Sequence, residues 1–239
     1  MIKDLRSQKY RHEYKYLTDA MQNAVLKCRV KMLLSSDNHA DGSGSYRVRS
    51  LYFDSPQDEC YYENESGIGE RDKYRIRIYN GDPSRIALEK KSKSRQMTLK
   101  QSCSIEEDTC CQMMEGKAVR ITSDMQEMQR RLLSEIQMKA MRPAVIVEYV
   151  RYPFVERNGN VRVTFDEQIG SSNEISAFLE KRLPLRPILE KGMSVLEVKW
   201  DEFLPDYIKN HIQLDTLQWC SFSKYYLCRK YNTYGGIRI

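Results

Sequence analysis

Basic side chains recur at every second position in several segments, the spacing that puts side chains on one face of a β-strand. Lys73, Arg75 and Arg77 alternate with a tyrosine and two isoleucines. The same alternation involves Lys15, Arg49, Lys91, Lys100, Arg151, Arg162 and Lys199, with Tyr149 on the face of Arg151. Guanidinium and ammonium groups bind phosphate oxygens. We therefore expect a phosphate-binding surface if these faces converge.

Acidic side chains accompany the basic ones on the same strand faces. A Glu-x-Lys pattern begins at Glu13, Glu89 and Glu197, each within a predicted strand. Carboxylates bind divalent cations, and such a cation also bridges phosphate oxygens. These three glutamates are therefore the candidate ligands for Mn²⁺ or Mg²⁺.

The elements that would position these side chains are mainly strands. Alternation and turn signals predict strands over 10–17, 46–53, 72–79, 85–93, 96–104, 144–152, 160–166, 187–190 and 194–200. Capping and periodicity predict helices over 18–34, 106–116, 123–142, 205–212 and 221–231. The first helix would bury a face made of Met21, Val25, Cys28 and Met32. We expect an α+β fold in which about eight strands close an antiparallel β-barrel, with helices packed outside, as one domain over residues 1–239.

The direction of the basic faces follows from the helices. A half-buried sheet ordinarily turns its polar face to water, and for any single strand that is the better interpretation. Here the predicted helices carry single apolar stripes that need the apolar face of the sheet as their partner. In a closed sheet the cations must then point inward, where they require water or a polyanion.

Composition and charge exclude several other classes of protein. The net charge of +6, from 39 basic and 33 acidic residues, is too small to identify a partner. No apolar run is long enough to span a membrane and no signal sequence opens the chain, so we expect a cytoplasmic protein. The histidines and cysteines lack zinc-ligand spacing. The basic faces lack an aromatic stacking platform, so we expect no nucleic-acid partner.

An ordered set of short motifs resembles one known family across nearly the whole chain. The motifs are RHEYKY, YRVRSLYFD, KYRIRIY, LEKK, VEYVRY, VRVTFD, VLEVKW and FSKYY. They resemble the VTC domain, the polyphosphate polymerase module of the vacuolar transporter chaperone complex, in the triphosphate tunnel metalloenzyme superfamily. The resemblance implies a triphosphate tunnel fold and leaves room for a membrane-protein partner that would hold the protein at the inner face of a membrane.

The resemblance also implies roles for individual residues. Its tunnel ligands for phosphate match Lys15, Arg75, Arg77, Lys91, Tyr149, Arg151, Arg162 and Lys224, with Ser223 beside the last. Its metal-binding carboxylate matches Glu197. Arg11 stands where the superfamily signature has its first glutamate, and this departure favours the polymerase branch over a metal-dependent triphosphatase.

The function that follows is ATP-dependent synthesis of polyphosphate with Mn²⁺ or Mg²⁺. Arg75, Arg77, Arg151, Arg162 and Lys224 would act on the transferred phosphate. The phosphate chain would also contact Lys15, Arg49, Lys73, Lys91, Lys100, Tyr149, Lys199 and Ser223. Two alternatives remain open: a hydrolase of triphosphate or nucleoside triphosphates in the same tunnel, and a module that binds polyphosphate without turnover.

Overall fold

A computed structural model describes residues 10–234. The strands are β1 (Arg11–Thr18), β2 (Ser35–Ser36), β3 (Tyr46–Asp54), β4 (Glu70–Tyr79), β5 (Asp82–Ser94), β6 (Met97–Ile105), β7 (Arg142–Glu156), β8 (Val161–Ser172), β9 (Arg186–Pro187) and β10 (Ser194–Trp200). The helices are α1 (Ala20–Leu33), α2 (Glu59–Glu65), α3 (Glu107–Met114), α4 (Glu127–Met138), α5 (Asp206–Ile212) and α6 (Lys224–Tyr234). The ends of the predicted domain, 1–9 and 235–239, lie outside the described residues, so its extent stays a prediction.

Eight antiparallel strands form a closed ring. Their order is β7-β3-β4-β5-β6-β1-β10-β8, and β8 pairs back to β7. The short β2 and β9 attach to β7 and β8. This ring confirms the predicted closed antiparallel sheet with helices outside it.

The ring has one narrow seam, between β1 and β6. These strands share only two residue pairs, Arg11 with Thr98 and His12 with Met97. Further along β1, the segment that precedes α6 takes over: Trp219 bridges to Tyr16, and the Cys220 amide donates to the Lys15 carbonyl at 2.9 Å. The start of α6 is therefore fixed beside the inner face of β1.

The apolar face of the sheet is buried against helices, as the apolar stripes of the predicted helices indicated. On β4, Tyr74, Ile76 and Ile78 are almost fully buried in a core that also contains Leu132 and Leu133 of α4. Since side chains alternate along a strand, this packing turns Lys73, Arg75 and Arg77 of β4 toward the interior of the ring.

The predicted buried face of α1 is wrong. Asp19 begins the helix with a capping box to Gln22, but Leu26 and Val30 are the residues that face the core. The predicted face is exposed, with Met21 at 79% and Met32 at 74%. Leu26 and Val30 pack in a buried cluster with Phe165 and Leu196, and Lys27 beside them lies 2.6 Å from Glu167 of β8.

Two other predicted elements differ, and one helix was not predicted. The predicted strand 187–190 is observed only as Arg186–Pro187, which pairs with β8, while β10 lies between β1 and β8. Helix α4 begins at Glu127 rather than at residue 123, without a side-chain cap, and α2 was not predicted. Within residues 10–234, no helix combines the length and apolar composition that a membrane crossing requires.

Candidate active site

A cavity lies among the inward side chains of the ring and the start of α6. The predicted site residues that line it are Glu13, Lys15, Lys73, Arg75, Arg77, Lys91, Tyr149, Arg151, Glu197, Lys199, Ser223 and Lys224. They come from β1, β4, β5, β7, β10 and the chain around the start of α6. The structure therefore brings together residues as distant in sequence as Glu13 and Lys224.

Arg75 and Arg77 are held by acceptors on neighbouring strands. Arg75 Nε lies 2.8 Å from Glu89 Oε2, and Arg75 Nη1 donates to the Tyr52 hydroxyl at 2.9 Å. Arg77 Nε donates to the Ser50 hydroxyl at 3.0 Å. Arg77 Nη1 lies 3.7 Å from Glu89 Oε2, a longer ion pair than the one Arg75 makes with the same carboxylate. Its guanidinium is therefore fixed in direction and still has donors for an anion.

A second group joins β7, β8, β10 and α6. Asp166 accepts two bonds from the Arg151 guanidinium, both at 2.7 Å, and its Oδ2 also lies 2.7 Å from Lys224 Nζ. Lys224 Nζ lies equally close to Glu197 Oε1, at 2.7 Å. Asp166 and Glu197 outweigh burial and raise the pKa of Lys224. Lys224 is thus held as a cation at the centre of the site.

The third group consists of two glutamates and the lysines between them. Lys199 Nζ lies 3.2 Å from Glu13 Oε1 and 2.7 Å from Glu197 Oε2. Lys15 Nζ is 3.9 and 3.8 Å from the same two carboxylates. Burial opposes ionisation of Glu13, but Lys15, Lys91 and Lys199 outweigh it, so the pKa of Glu13 is well below its ordinary value. Burial is likewise outweighed at Glu197, where Lys199 and Lys224 hold the pKa well below its ordinary value, so both glutamates are ionised at neutral pH.

Lys73 lies against the start of α6 without a carboxylate partner among the described residues. Its ammonium donates at 2.7 Å to Ser223 Oγ and at 2.7 Å to Asn64 Oδ1 of α2. Ser223 Oγ also accepts the Tyr226 amide at 3.2 Å, as a helix-capping hydroxyl does. Burial, together with the nearby cations Arg71, Lys15 and Lys91, lowers the pKa of Lys73 well below its ordinary value. An anion at this position would relieve that repulsion.

The carboxylate pair Glu13 and Glu197 fits a divalent cation that is completed by phosphate. The part of the chain that the structure describes contains no cluster of three or more histidine, cysteine, aspartate or glutamate side chains arranged for a metal. Glu13 Oε1 is buried and accepts no hydrogen bond within that part, although the Lys199 ammonium lies 3.2 Å away as an ion-pair partner. Mg²⁺ is commonly bound by one or two carboxylates together with substrate phosphates, and this pair has that composition.

Four predicted site residues lie elsewhere. Arg49 does not face the cavity, contrary to its predicted role as a phosphate ligand. It is fully buried on the outer face of β3, where it contacts Glu148 Oε2 at 2.5 Å and donates to the Phe178 carbonyl at 2.8 Å. Arg162 is not among the residues that line the cavity, since its Nη2 donates to Asp37 Oδ2 at 2.7 Å and to the Tyr46 hydroxyl at 2.9 Å.

The remaining two are Glu89, which contacts Arg75, and Lys100, which contacts Glu89. Glu89 is enclosed by Arg75 and by Lys100, whose Nζ lies 3.0 Å from Glu89 Oε1. Glu89 is not among the residues that line the cavity, so the structure does not bring it together with Glu13 and Glu197, and its role as a metal ligand stays a prediction. Lys100 reaches the site through this contact and does not line the cavity.

The sequence interpretation missed several residues that shape the cavity. Asp166 shares the inward face of β8 with Arg162 and Thr164, so its alternation was a usable signal. Tyr52 lies on the same face of β3 as Ser50, and these two hydroxyls accept hydrogen bonds from Arg75 and Arg77. Asn64 lies on α2, an unpredicted helix, and no pattern indicated its contact with Lys73.

Comparisons with known proteins agree with this architecture. Residues 10–232 match the VTC domain. A candidate adenylyl cyclase from Hippeastrum with a dominant triphosphatase activity is 12% identical and has a TM-score of 0.54, with 93% of this chain and 95% of that chain covered. A candidate adenylate cyclase from Bacillus halodurans is 13% identical at a TM-score of 0.52, with 96% and 99% covered. Both share the triphosphate tunnel fold. A comparison with curated proteins gave no match.

Proposed function

Because the chain belongs to the VTC domain family, we propose that it is an ATP-dependent polyphosphate polymerase that works inside the strand ring. The family and the fold support an enzyme that acts on phosphates, and the polymerase activity is the proposal. The observation that carries it is the cavity itself, where Arg75, Arg77, Arg151 and Lys224 converge on one enclosed space.

The reaction is transfer of the γ-phosphate of ATP to the end of a phosphate chain. A terminal oxygen of the chain forms a bond to the γ-phosphorus, the bond from that phosphorus to the β–γ bridging oxygen breaks, and ADP leaves. Phosphoryl transfer needs alignment and charge stabilisation rather than a covalent protein nucleophile. The fixed guanidinium groups of Arg75, Arg77 and Arg151 supply both, since they need little reorganisation to meet phosphate oxygens.

The lysines and carboxylates complete the electrostatics. Lys15, Lys91 and Lys224 add charge around the chain, and Arg162 would join them if a phosphate displaced Asp37. Mn²⁺ or Mg²⁺, held by Glu197 and Glu13, would supply a Lewis acid for the triphosphate oxygens. Lys199 now occupies the space between these two carboxylates and would turn toward phosphate when the cation binds.

Arg11 supports the polymerase over the hydrolase. Where the superfamily signature has a glutamate, Arg11 instead makes an ion pair with Asp201 at 2.6 Å, so the site has one carboxylate fewer for binding metal and activating water. Hydrolysis of triphosphate is the second candidate, and the fold shared with the Hippeastrum triphosphatase favours it. Both reactions would use the same cations and differ in the acceptor.

A product assay separates the candidates. The protein is incubated with ATP and Mn²⁺, and the products are resolved by chain length. A ladder of long phosphate chains supports the polymerase. Release of one free phosphate per nucleotide without a ladder contradicts it and identifies a hydrolase, and tight ATP binding without turnover identifies a binding module.

Two variants test the role of the metal-binding carboxylate in this assay, one at the site and one as a control. Glu197→Gln removes a metal ligand and should abolish turnover while tripolyphosphate still binds. Glu115→Gln changes an exposed glutamate at the end of α3 and should leave the product pattern unchanged. Normal turnover in Glu197→Gln would contradict the role of this carboxylate.

A further inference from the structure

Two pairs of cations lie directly opposite each other on the inner faces of β4 and β5. Lys73 pairs with Lys91, and Arg71 pairs with Lys93. Like charges directly opposite on neighbouring strands destabilise a sheet. Burial and neighbouring cations, Arg71 and Lys15, lower the pKa of Lys93. The fold therefore carries a local electrostatic cost at both positions.

The pair Arg71 and Lys93 differs from the pair Lys73 and Lys91 in how its charges are neutralised. Lys91 Nζ lies 2.6 Å from Glu13 Oε2, and Lys73 donates to Ser223 and Asn64. Arg71 donates to the Ile68 carbonyl at 2.7 Å, an uncharged acceptor. Within residues 10–234, neither Arg71 nor Lys93 has a carboxylate within ion-pair distance. Their charges are thus available to an external anion.

Their position is the mouth of the cavity. Arg71 and Lys93 line the cavity and also a second cleft that adjoins it. The second cleft balances Lys90, Arg131 and Lys139 with Glu59, Glu63, Glu70 and Asp72, so the large excess of cations that marks the cavity ends at the Arg71–Lys93 pair. Arg71 is four residues from Arg75 along β4, roughly 13 Å at the rise of an extended strand. A phosphate chain seated at Arg75 and Arg77 has to extend past Lys73 before it meets Arg71, so a longer chain is better placed than a triphosphate to reach this pair.

We propose that Arg71 and Lys93 form a phosphate subsite at the cavity mouth, which binds the part of a polyphosphate chain that extends beyond the reacting triphosphate. The ligand class rests on the proposed function. The subsite makes long polyphosphate bind more tightly than tripolyphosphate and retains a growing chain between additions.

Equilibrium binding tests the subsite without turnover. Affinities for tripolyphosphate and for long-chain polyphosphate are measured by calorimetry at fixed ionic strength in the unmodified protein, in Arg71→Gln/Lys93→Gln, and in Arg131→Gln/Lys139→Gln. The last variant removes the same charge from the second cleft. We expect the Arg71/Lys93 variant to bind long chains about tenfold more weakly while its tripolyphosphate affinity stays unchanged. The Arg131/Lys139 variant should bind both ligands as the unmodified protein does.

Other outcomes overturn one claim or the other. Equal weakening by both double variants would show a general charge effect and contradict the subsite. Equal affinities of the Arg71/Lys93 variant and the unmodified protein for long chains would contradict it as well. Failure of the unmodified protein to bind tripolyphosphate would instead contradict the proposed function.

Thermal unfolding gives an independent readout. Because Lys93 faces Arg71 without a carboxylate, the single variant Lys93→Gln should raise the melting temperature of the ligand-free protein. It should also lower the additional stabilisation that long-chain polyphosphate gives over tripolyphosphate. A lowered melting temperature of ligand-free Lys93→Gln would show that Lys93 has a structural role and would contradict the proposal.

Discussion

Lys224 Nζ lies 2.7 Å from Asp166 Oδ2, which joins the start of α6 to the inner face of β8. The same ammonium also contacts Glu197, so its loss would leave two buried carboxylates under-compensated. We expect Lys224→Met to lower the free energy of unfolding by about 3 kcal/mol, measured by urea denaturation. Lys181→Met, at an exposed position, is the control. Equal effects of the two substitutions would contradict the buried network.

Arg49 should be essential for stability and unnecessary for phosphate binding. It neutralises Glu148 and donates to the carbonyls of Phe178 and Glu180 on the outer face of β3. Arg49→Gln should lower the free energy of unfolding by about 3 kcal/mol, while tripolyphosphate affinity of the folded protein stays unchanged. In Arg77→Gln that affinity should fall at least about tenfold. Similar losses of affinity in both variants would place Arg49 on the phosphate path.

The inward face of β4 was predictable because its alternation is unambiguous. Tyr74 and Ile76 can only be buried against helices, so Arg75 between them must face the other side. On β3 the local pattern is ambiguous: Arg49 alternates with the small Ser50, and either side chain suits a polar interior. What decides the direction is a pair of carbonyls 129 and 131 residues away in sequence, and no local pattern contains that information.

The helices, too, were only partly predictable from the local sequence. Both stripes of α1 have helical spacing, and the buried one is distinguished only by its packing against residues that are distant in sequence, such as Phe165 and Leu196. Helix α2 begins with an unusual cap, since Asp54 accepts the amides of Cys60 and Tyr61 from outside the helix. Asp58 occupies the N-cap position without making a side-chain cap bond, and no local pattern indicates the contact of Asn64 with Lys73.

Lys91 should make phosphate binding pH-dependent. Burial lowers its pKa from 10.5 to about 7, although Glu13 opposes the shift. Tripolyphosphate binding requires the protonated lysine, so affinity should fall as pH rises above 7. Lys91→Gln should flatten this part of the calorimetric pH profile, whereas Lys139→Gln should not. An unchanged profile in Lys91→Gln would contradict the assignment.

The lowered pKa of Lys91 also affects the stability of the ligand-free protein. That stability should rise with pH over the range in which phosphate affinity falls. Between about pH 7 and pH 10.5 the unfolded chain binds this proton more tightly than the folded one. The contribution of Lys91 to the free energy of unfolding therefore rises with pH across that interval. Comparison of Lys91→Gln with the unmodified protein by urea denaturation at several pH values isolates this contribution. A contribution that falls with pH would contradict the lowered pKa.

Lys199 should compete with a divalent cation for Glu13 and Glu197. Removing its ammonium leaves the carboxylate pair with less positive charge, so Lys199→Gln should bind Mn²⁺ about tenfold more tightly than the unmodified protein when no phosphate is present. Electron paramagnetic resonance of free Mn²⁺ measures the affinity. Lys100→Gln, which contacts Glu89 instead, should change nothing. Weaker Mn²⁺ binding in Lys199→Gln would contradict the competition.

Protection of Cys220 from alkylation tests most directly whether a phosphate chain enters the cavity. Cys220 is a free thiol that lines the cavity near Lys15, whereas the free thiol of Cys28 is exposed on α1. Burial raises the pKa of Cys220, so both rates are followed at alkaline pH by mass spectrometry, with and without tripolyphosphate. Tripolyphosphate should slow alkylation of Cys220 and leave Cys28 unaffected. Equal rates for Cys220 with and without saturating tripolyphosphate would contradict binding inside the ring.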